Sequence, residues 1–292
     1  MNTTPHTEES PPSAAGRKRQ SGIRRVLLAL DADAEGSGPL DWAADLAARL
    51  KSELGGLFIE DAALFELAGH PQVCVISTLT MARHTLQSSD MARMLRAQAE
   101  LRRAALERAA ARAGVRATFE IRRGRRSAEI LAYSGEGDLV IVNWSAGWAS
   151  GDEAHVVAAG ASGSVLLLDR PFVGESPVLA LYDGTEQSLK ALETAAGIAD
   201  QDGGDLVVVL AEDSAELRDR WAAVKPGLTE GRNLRIRVTA PSATASGAEA
   251  VARIAAEARA GVMVLPADSP LIEDLKLRPR HGRGFSSLLL VR

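Results

Sequence analysis

Short aliphatic runs alternate along this chain with stretches in which apolar residues recur every three or four positions. The runs Val26–Leu30 and Val178–Tyr182 are apolar almost throughout, as expected for strands buried on both faces of a parallel sheet. A helical pattern follows each. Leu40, Ala43, Ala44, Leu46, Ala47 and Leu50 share one face; Leu189, Leu192, Ala195, Ala196 and Ile198 share another. Second strands come next, at Leu54–Ile59 and Leu206–Ala211. Strand, helix and strand make a βαβ unit with a right-handed crossover.

The two units are copies. "RVLLALDADAEGSGPLDWAADLAARLKSELGGLFIED" and "PVLALYDGTEQSLKALETAAGIADQDGGDLVVVLAED" align without a gap, placing Val26 on Val178, Asp31 on Asp183, Leu40 on Leu192 and Asp61 on Asp213. The first copy continues with a helix at Ser89–Ala113, a strand at Ala117–Ile121, a helix at Ala128–Tyr133 and strands at Leu139–Val142 and Val165–Leu168. In the second, a helix at Ala215–Val224, a strand at Leu234–Val238, a helix at Ala248–Ala258 and strands at Val262–Leu265 and Leu288–Val291 complete the set. The alternation predicts two doubly wound α/β domains, at residues 23–170 and 177–292. Between them, "DRPFVGES" supplies a linker at 171–176. Segment 62–88 has no counterpart of equal length in the second copy and reads as an insertion or lid.

Length agrees, since 292 residues suit two domains of ordinary size. A net charge of −4 gives no general case for nucleic acid or a membrane surface as partner. The single cysteine, Cys74, excludes an internal disulfide framework, and with His70 it makes only two local metal-type ligands, so no metal site is expected. Residues 1–22 are polar and rich in Pro, Ser and Thr, and read as a disordered tail without a signal peptide's apolar core. No apolar run approaches the length of a membrane span, so the expected location is the cytoplasm.

The strand that ends in Asp183-Gly184-Thr185, followed by "EQSLKALETAAGIA", resembles the opening of universal stress protein domains. "GDLVIVN" and "AGVMVLP" resemble their fourth strands, and "SGSVLLLD" and "FSSLLLVR" their fifth. The resemblance spans Ile23 to Arg292 as a tandem pair. It implies an adenine nucleotide α-hydrolase-like α/β fold: two open five-stranded parallel sheets in strand order 3-2-1-4-5, flanked by helices and paired through their fifth strands, Val165–Leu168 and Leu288–Val291.

The resemblance also points to a site. In open α/β sheets, ligands bind beyond the carboxyl ends of the strands where strand order reverses. Asp183 and Asp31 end the two first strands there. In nucleotide-binding members of the family the matching Asp contacts the adenosine end of ATP. Asp183, Gly184 and Thr185 keep that pattern, whereas Asp31, Ala32 and Asp33 depart from it. Two readings stand for Asp-Gly-Thr: a turn with a helix cap, or a ligand contact.

The phosphate motif implied by the family is Gly-x-x-Gly, nine residues, then Gly and a hydroxyl residue, because glycine lets backbone amides approach phosphate closely. Its positions read Asn143, Ala146 and Val156-Val157 in the first copy, and Pro266, Ser269 and Pro279-Arg280 in the second. Neither copy keeps it. Trp144 and Trp148 lie where the first cradle belongs, as crevice filling or as anchors for a partner. Arg280 and Arg283, in "KLRPRHGRG", form a solvated basic loop or an anion site made of arginine forks.

These residues predict a non-enzymatic tandem universal stress protein. It would be a stress-response or regulatory module acting through an unknown protein partner, with a homodimer possible, nucleotide binding lost or weakened, and no obligatory cofactor. The alternative is a nucleotide sensor or slow ATPase keeping one ATP or AMP site in the second copy, built on Asp183 and the basic loop.

Overall fold

The computed structural model describes residues 22–30, 38–68, 70, 74–76, 83–85, 88–143, 151–168, 176–201, 203–241, 247–274 and 287–292. The first copy comprises β1 (Arg25–Leu30), α1 (Gly38–Leu50), β2 (Glu53–Asp61), α2 (Ala62–Ala68), β3 (Cys74–Ile76), β4 (Arg83–Thr85), α3 (Ser88–Ala113), β5 (Ala117–Gly124), α4 (Arg126–Tyr133), β6 (Asp138–Asn143), α5 (Gly151–Gly160) and β7 (Ser164–Leu168). The second comprises β8 (Val178–Tyr182), α6 (Glu186–Gln201), β9 (Asp205–Leu210), α7 (Ala215–Thr229), β10 (Arg235–Thr239), α8 (Gly247–Ala258), β11 (Val262–Pro266), α9 (Leu271–Asp274) and β12 (Ser287–Val291).

Ten of the strands form one sheet in the order β10-β9-β8-β11-β12-β7-β6-β1-β2-β5, and β3 and β4 pair apart from it. Each copy therefore has the order 3-2-1-4-5, and the fifth strands meet in the middle. Pairs within the ten-stranded sheet are parallel except at that seam, where β12 runs antiparallel to β7 with Leu289 opposite Leu166 and Leu290 opposite Val165. Strand residues alternate between two cores. Val26, Leu28 and Leu30 face α1, α3, α6 and α7, while Leu27 and Ala29 face α4, α5 and α8. Both faces are covered, which explains why the central strands are apolar without interruption.

Polar contacts fix the strand ends. Asp138, at the start of β6, accepts from Arg25 Nε at 2.9 Å and Nη2 at 2.5 Å, and from the Gly135 amide at 2.8 Å. The Arg25 guanidinium also lies 4.7 Å from the Tyr133 ring centre. The second copy has Pro177 and Gly261 at the equivalent places, joined by one backbone hydrogen bond of 2.9 Å. Across the seam, Arg292 Nη2 donates to the carbonyls of Ala158 at 2.5 Å and Ala159 at 3.1 Å, capping the last turn of α5 from the other copy.

Four elements differ from the pattern read in the sequence, one of them the short helix α9 between the fourth and fifth strands of the second copy, where none was expected. Helix α5 lies between the fourth and fifth strands of the first copy, where no helix was expected. Among its described side chains it buries Ala154, Val157 and Ala158, and so short a stripe between two glycines gives little periodic signal. Helix α7 runs beyond the expected end at Val224 to Thr229 with Pro226 inside it. A proline that late removes one hydrogen bond, and the Glu230 amide still closes the turn onto the Pro226 carbonyl at 3.1 Å. The insertion contains α2 and the antiparallel pair β3–β4. Its helix is tied down by Arg123, which lies 3.9 Å from the Phe65 ring centre and donates twice to Glu60 of β2, at 2.9 and 2.7 Å.

Candidate functional site

Strands β8 and β11 pair from Val178 opposite Val262 to Ala180 opposite Val264, and their ladder stops there. In the first copy, β1 and β6 pair only as far as Leu28 opposite Ile141. Each first strand thus leaves its fourth-strand neighbour before either ends, and a crevice opens at the reversal of strand order. Asp183 stands at the lip of the second crevice.

The turn there is built from its own side chains. The amide and hydroxyl of Thr185 both donate to Asp183 Oδ1, at 2.9 and 2.6 Å. The Thr185 oxygen in turn accepts the Ser188 amide at 3.1 Å, capping the first turn of α6. The buried Ser188 hydroxyl donates to the Thr185 carbonyl at 2.9 Å and accepts the Asp183 amide at 3.4 Å. Gly184 has φ +83°, and an added Cβ would lie 3.1 Å from Leu217 Cδ1 and 3.2 Å from Arg220 Nη1. The left-handed backbone favours glycine at this position, and the side chains of α7 would also have to shift to admit a Cβ.

Burial alone would raise the Asp183 carboxyl, but the Ser188 and Thr185 hydroxyls and the amides of Thr185 and Asp183 outweigh it and hold the group below its ordinary value. Tyr182, packed edge-on to Trp221 at 6.1 Å, shifts the other way. Burial raises its phenol; Arg220 opposes that rise and the Asp183 charge adds to it. A carboxyl whose folded pKa is depressed stabilises the fold above its unfolded pKa and loses that contribution as pH falls through the folded value. Urea unfolding followed from pH 7 to pH 3 should therefore show Asp183→Asn losing less stability than the wild type below about pH 4. The difference should be roughly 0.5 kcal/mol or less, because solvent screens this partly exposed group. Parallel curves would mean that the turn gives the carboxylate no preference.

The loop after β11 leaves the strand that pairs in parallel with β8, at the same end of the sheet as this turn. Pro266 has no amide proton, the Ala267 amide donates to the Val291 carbonyl at 2.9 Å, and the Ser269 amide donates to the Pro266 carbonyl at 3.0 Å. Ser269 is 6% exposed, and its hydroxyl has no partner among the described residues. The structure thus brings Asp183, Gly184 and Thr185 together and adds Ser188, Leu217 and Arg220, which the linear sequence did not single out. Only the i+3 spacing of Thr185 and Ser188 signalled any of these. Asp31, Trp144, Trp148, Arg280 and Arg283 lie outside the described residues. Among the described residues no group of three or more His, Cys, Asp or Glu side chains is arranged to hold a metal ion, and no helix is long and apolar enough to cross a membrane.

Among solved structures, the chain is similar to a universal stress protein from Archaeoglobus fulgidus DSM 4304, with a TM-score of 0.64 and 16% identity over 94% of this chain and 99% of that one. A proposed universal stress protein from Pseudomonas aeruginosa UCBPP-PA14 gives 0.57 at 18% identity, covering 93% of this chain and 94% of its own. A functionally unknown protein from Pseudomonas aeruginosa PAO1 gives 0.56 at 17% identity, with 93% of each chain covered. No protein-family model matches the sequence, and no curated protein does. At such identities the likeness carries architecture: the chain has the fold of the universal stress proteins, two copies of it sharing one sheet.

Proposed function

We propose that this chain is a tandem universal stress protein that works as a non-enzymatic regulatory module through protein contacts, with nucleotide binding lost or weak. The observation that supports this most directly is the state of the loop after β11. A phosphate cradle needs backbone amides pointing into the crevice. Here Pro266 has none, and those of Ala267 and Ser269 are spent on protein carbonyls. Exposed Asp268 adds a negative charge to the same loop. The Asp183 turn has a complete structural role without a ligand, since both bonds it accepts from Thr185 go to closing the turn.

A second reading, a residual site for the adenosine part of ATP or AMP, has one observation in its favour. The Ser269 hydroxyl is buried without a partner among the described residues, in the loop after β11, the strand that pairs with β8. Melting curves with ATP, ADP, AMP and cyclic nucleotides at about 1 mM separate the two readings. A ligand with Kd near 10 μM would add roughly 2.7 kcal/mol, a rise of about 4–5 °C for a chain of this size. The expected rise is under about 1 °C for every nucleotide. A rise of several degrees that Asp183→Ala removes would replace the first reading with the second.

A further inference from the structure

A cavity of about 540 Å3 opens at the amino ends of β1 and β6, a volume within the range of small-molecule sites. Arg24, Arg25, Glu53, Ser134, Gly137 and Asp138 are among its walls. Both acids there are already matched. Asp138 takes Nε and Nη2 of Arg25, and Glu53 Oε1 lies 3.3 Å from Arg116 Nη1. The groups left over are donors. Arg24 is exposed, and its guanidinium meets no acid or other acceptor among the described residues. The Ser134 hydroxyl is buried in the wall without a partner.

We propose that this cavity binds a small oxyanion, a phosphate ester or a carboxylate, with Arg24 supplying the charged fork and Ser134 a hydroxyl donor. The Arg24 head is held in place for that task. Its backbone amide donates to the Gly137 carbonyl at 2.7 Å, and its guanidinium lies so close over Gly137 that a Cβ there would fall 2.4 Å from Nε. The turn beneath is fixed in its own right. The Asp138 amide donates to the Gly135 carbonyl at 3.0 Å, and the Gly135 amide donates back to the Asp138 carboxylate at 2.8 Å. The Tyr133 carbonyl at the end of α4 would oppose an anion, but it accepts from Arg25 Nη2 at 3.4 Å.

The fold itself does not call for these charges. The second copy builds the equivalent strand ends from Pro177 and Gly261 with one backbone hydrogen bond. A partly buried ion pair adds little stability over an apolar replacement, so the charged arrangement of the first copy is better explained by what it can hold. Oxyanion binding here is independent of the Asp183 crevice, which lies in the other copy and beyond the other end of the strands.

NMR of the 15N-labelled full chain tests it, following the Arg24 Nε–Hε and Gly135 amide resonances. Inorganic phosphate and malonate are titrated separately to about 20 mM, with chloride holding ionic strength constant. The expected result is a saturable shift with Kd on the order of 1 mM. Read at Gly135, Arg24→Gln should abolish it and Ser134→Ala weaken it several-fold, whereas Arg237→Gln on β10 leaves it unchanged. Gly137→Ala keeps every charge but pushes the guanidinium aside, and should weaken binding at least about 5-fold. Tighter binding of phosphate assigns the site to phosphate esters, and tighter binding of malonate to carboxylates. A linear drift that chloride reproduces overturns the proposal. So does an Arg24→Gln chain that binds either anion with wild-type affinity.

Discussion

Leu289→Pro is expected to abolish the single cooperative unfolding of this chain. Leu289 is 1% exposed and sits at the middle of β12, hydrogen-bonded into the ladder between β11 and β7, with Val264 on one side and Leu166 on the other. Loss of the leucine's fit costs about 2–5 kcal/mol by itself. Proline also removes a ladder donor and drives its ring into a neighbouring strand, in a position where prolines are not tolerated. Against a typical total of roughly 5–15 kcal/mol, the seam cannot survive this. Because β12·β7 is where the two copies join, calorimetry should show two smaller transitions at lower temperature in place of one. Leu289→Ile keeps the volume and should cost less than about 1.5 kcal/mol. A Leu289→Pro chain that still melts in one step near the wild-type temperature would mean that the seam contributes little.

The second large effect is expected at Asp138. Asp138→Ala should lower stability by about 2–3 kcal/mol, read from the urea midpoint. The carboxylate side chain is 8% exposed and the Arg25 side chain 22%, so removing the acid strands a cation that has only partial access to water. The Gly135 amide loses its acceptor at the same time. Arg25 is held more firmly protonated than usual, first through its hydrogen bonds to Asp138, with burial opposing and the Asp138 charge reinforcing. Even without the acid, arginine's intrinsic basicity keeps Arg25 charged, so it cannot escape by shedding its proton. Arg25→Met combined with Asp138→Ala should recover part of the loss, since no charge is then stranded. A loss below about 0.5 kcal/mol for Asp138→Ala would show that Tyr133 and solvent replace the acid fully.

How much of this was legible in the sequence depended on which residues carry a pattern. The gapless match of Val26 with Val178 and of Asp61 with Asp213 exposed the duplication; aliphatic runs placed the inner strands of the main sheet, and the strand–helix alternation placed the mixed edge strands β5 and β10. The fifth-strand seam followed from resemblance, not from periodicity, because nothing in "SVLLL" or "SLLLV" says which neighbour each will take. Helix α5 escaped because alanine and glycine mark no face clearly, and Pro226 misled because a single lost hydrogen bond in a final turn costs less than a break in mid-helix. At the site, Asp-Gly-Thr announced a turn and a cap, and both are present. Its surroundings were not legible. Arg220 and Leu217 approach Gly184 only because α7 folds back over the end of β8, and Ser269 loses its hydroxyl partner only through burial. These are consequences of packing between residues far apart in the chain.

The placement of the seam sets a waiting time on synthesis. β7 is complete at Leu168, but the strand that covers its open side begins at Ser287, on the order of 120 residues later. At roughly 5–20 residues per second, the ribosome needs about 6–24 s to deliver it. Throughout that interval the first copy presents Ser-Val-Leu-Leu-Leu as a bare aliphatic edge, the kind of strand that pairs with other chains. The open edge of the first copy is therefore exposed during translation, and a chaperone that shields strand edges should raise the yield of this protein.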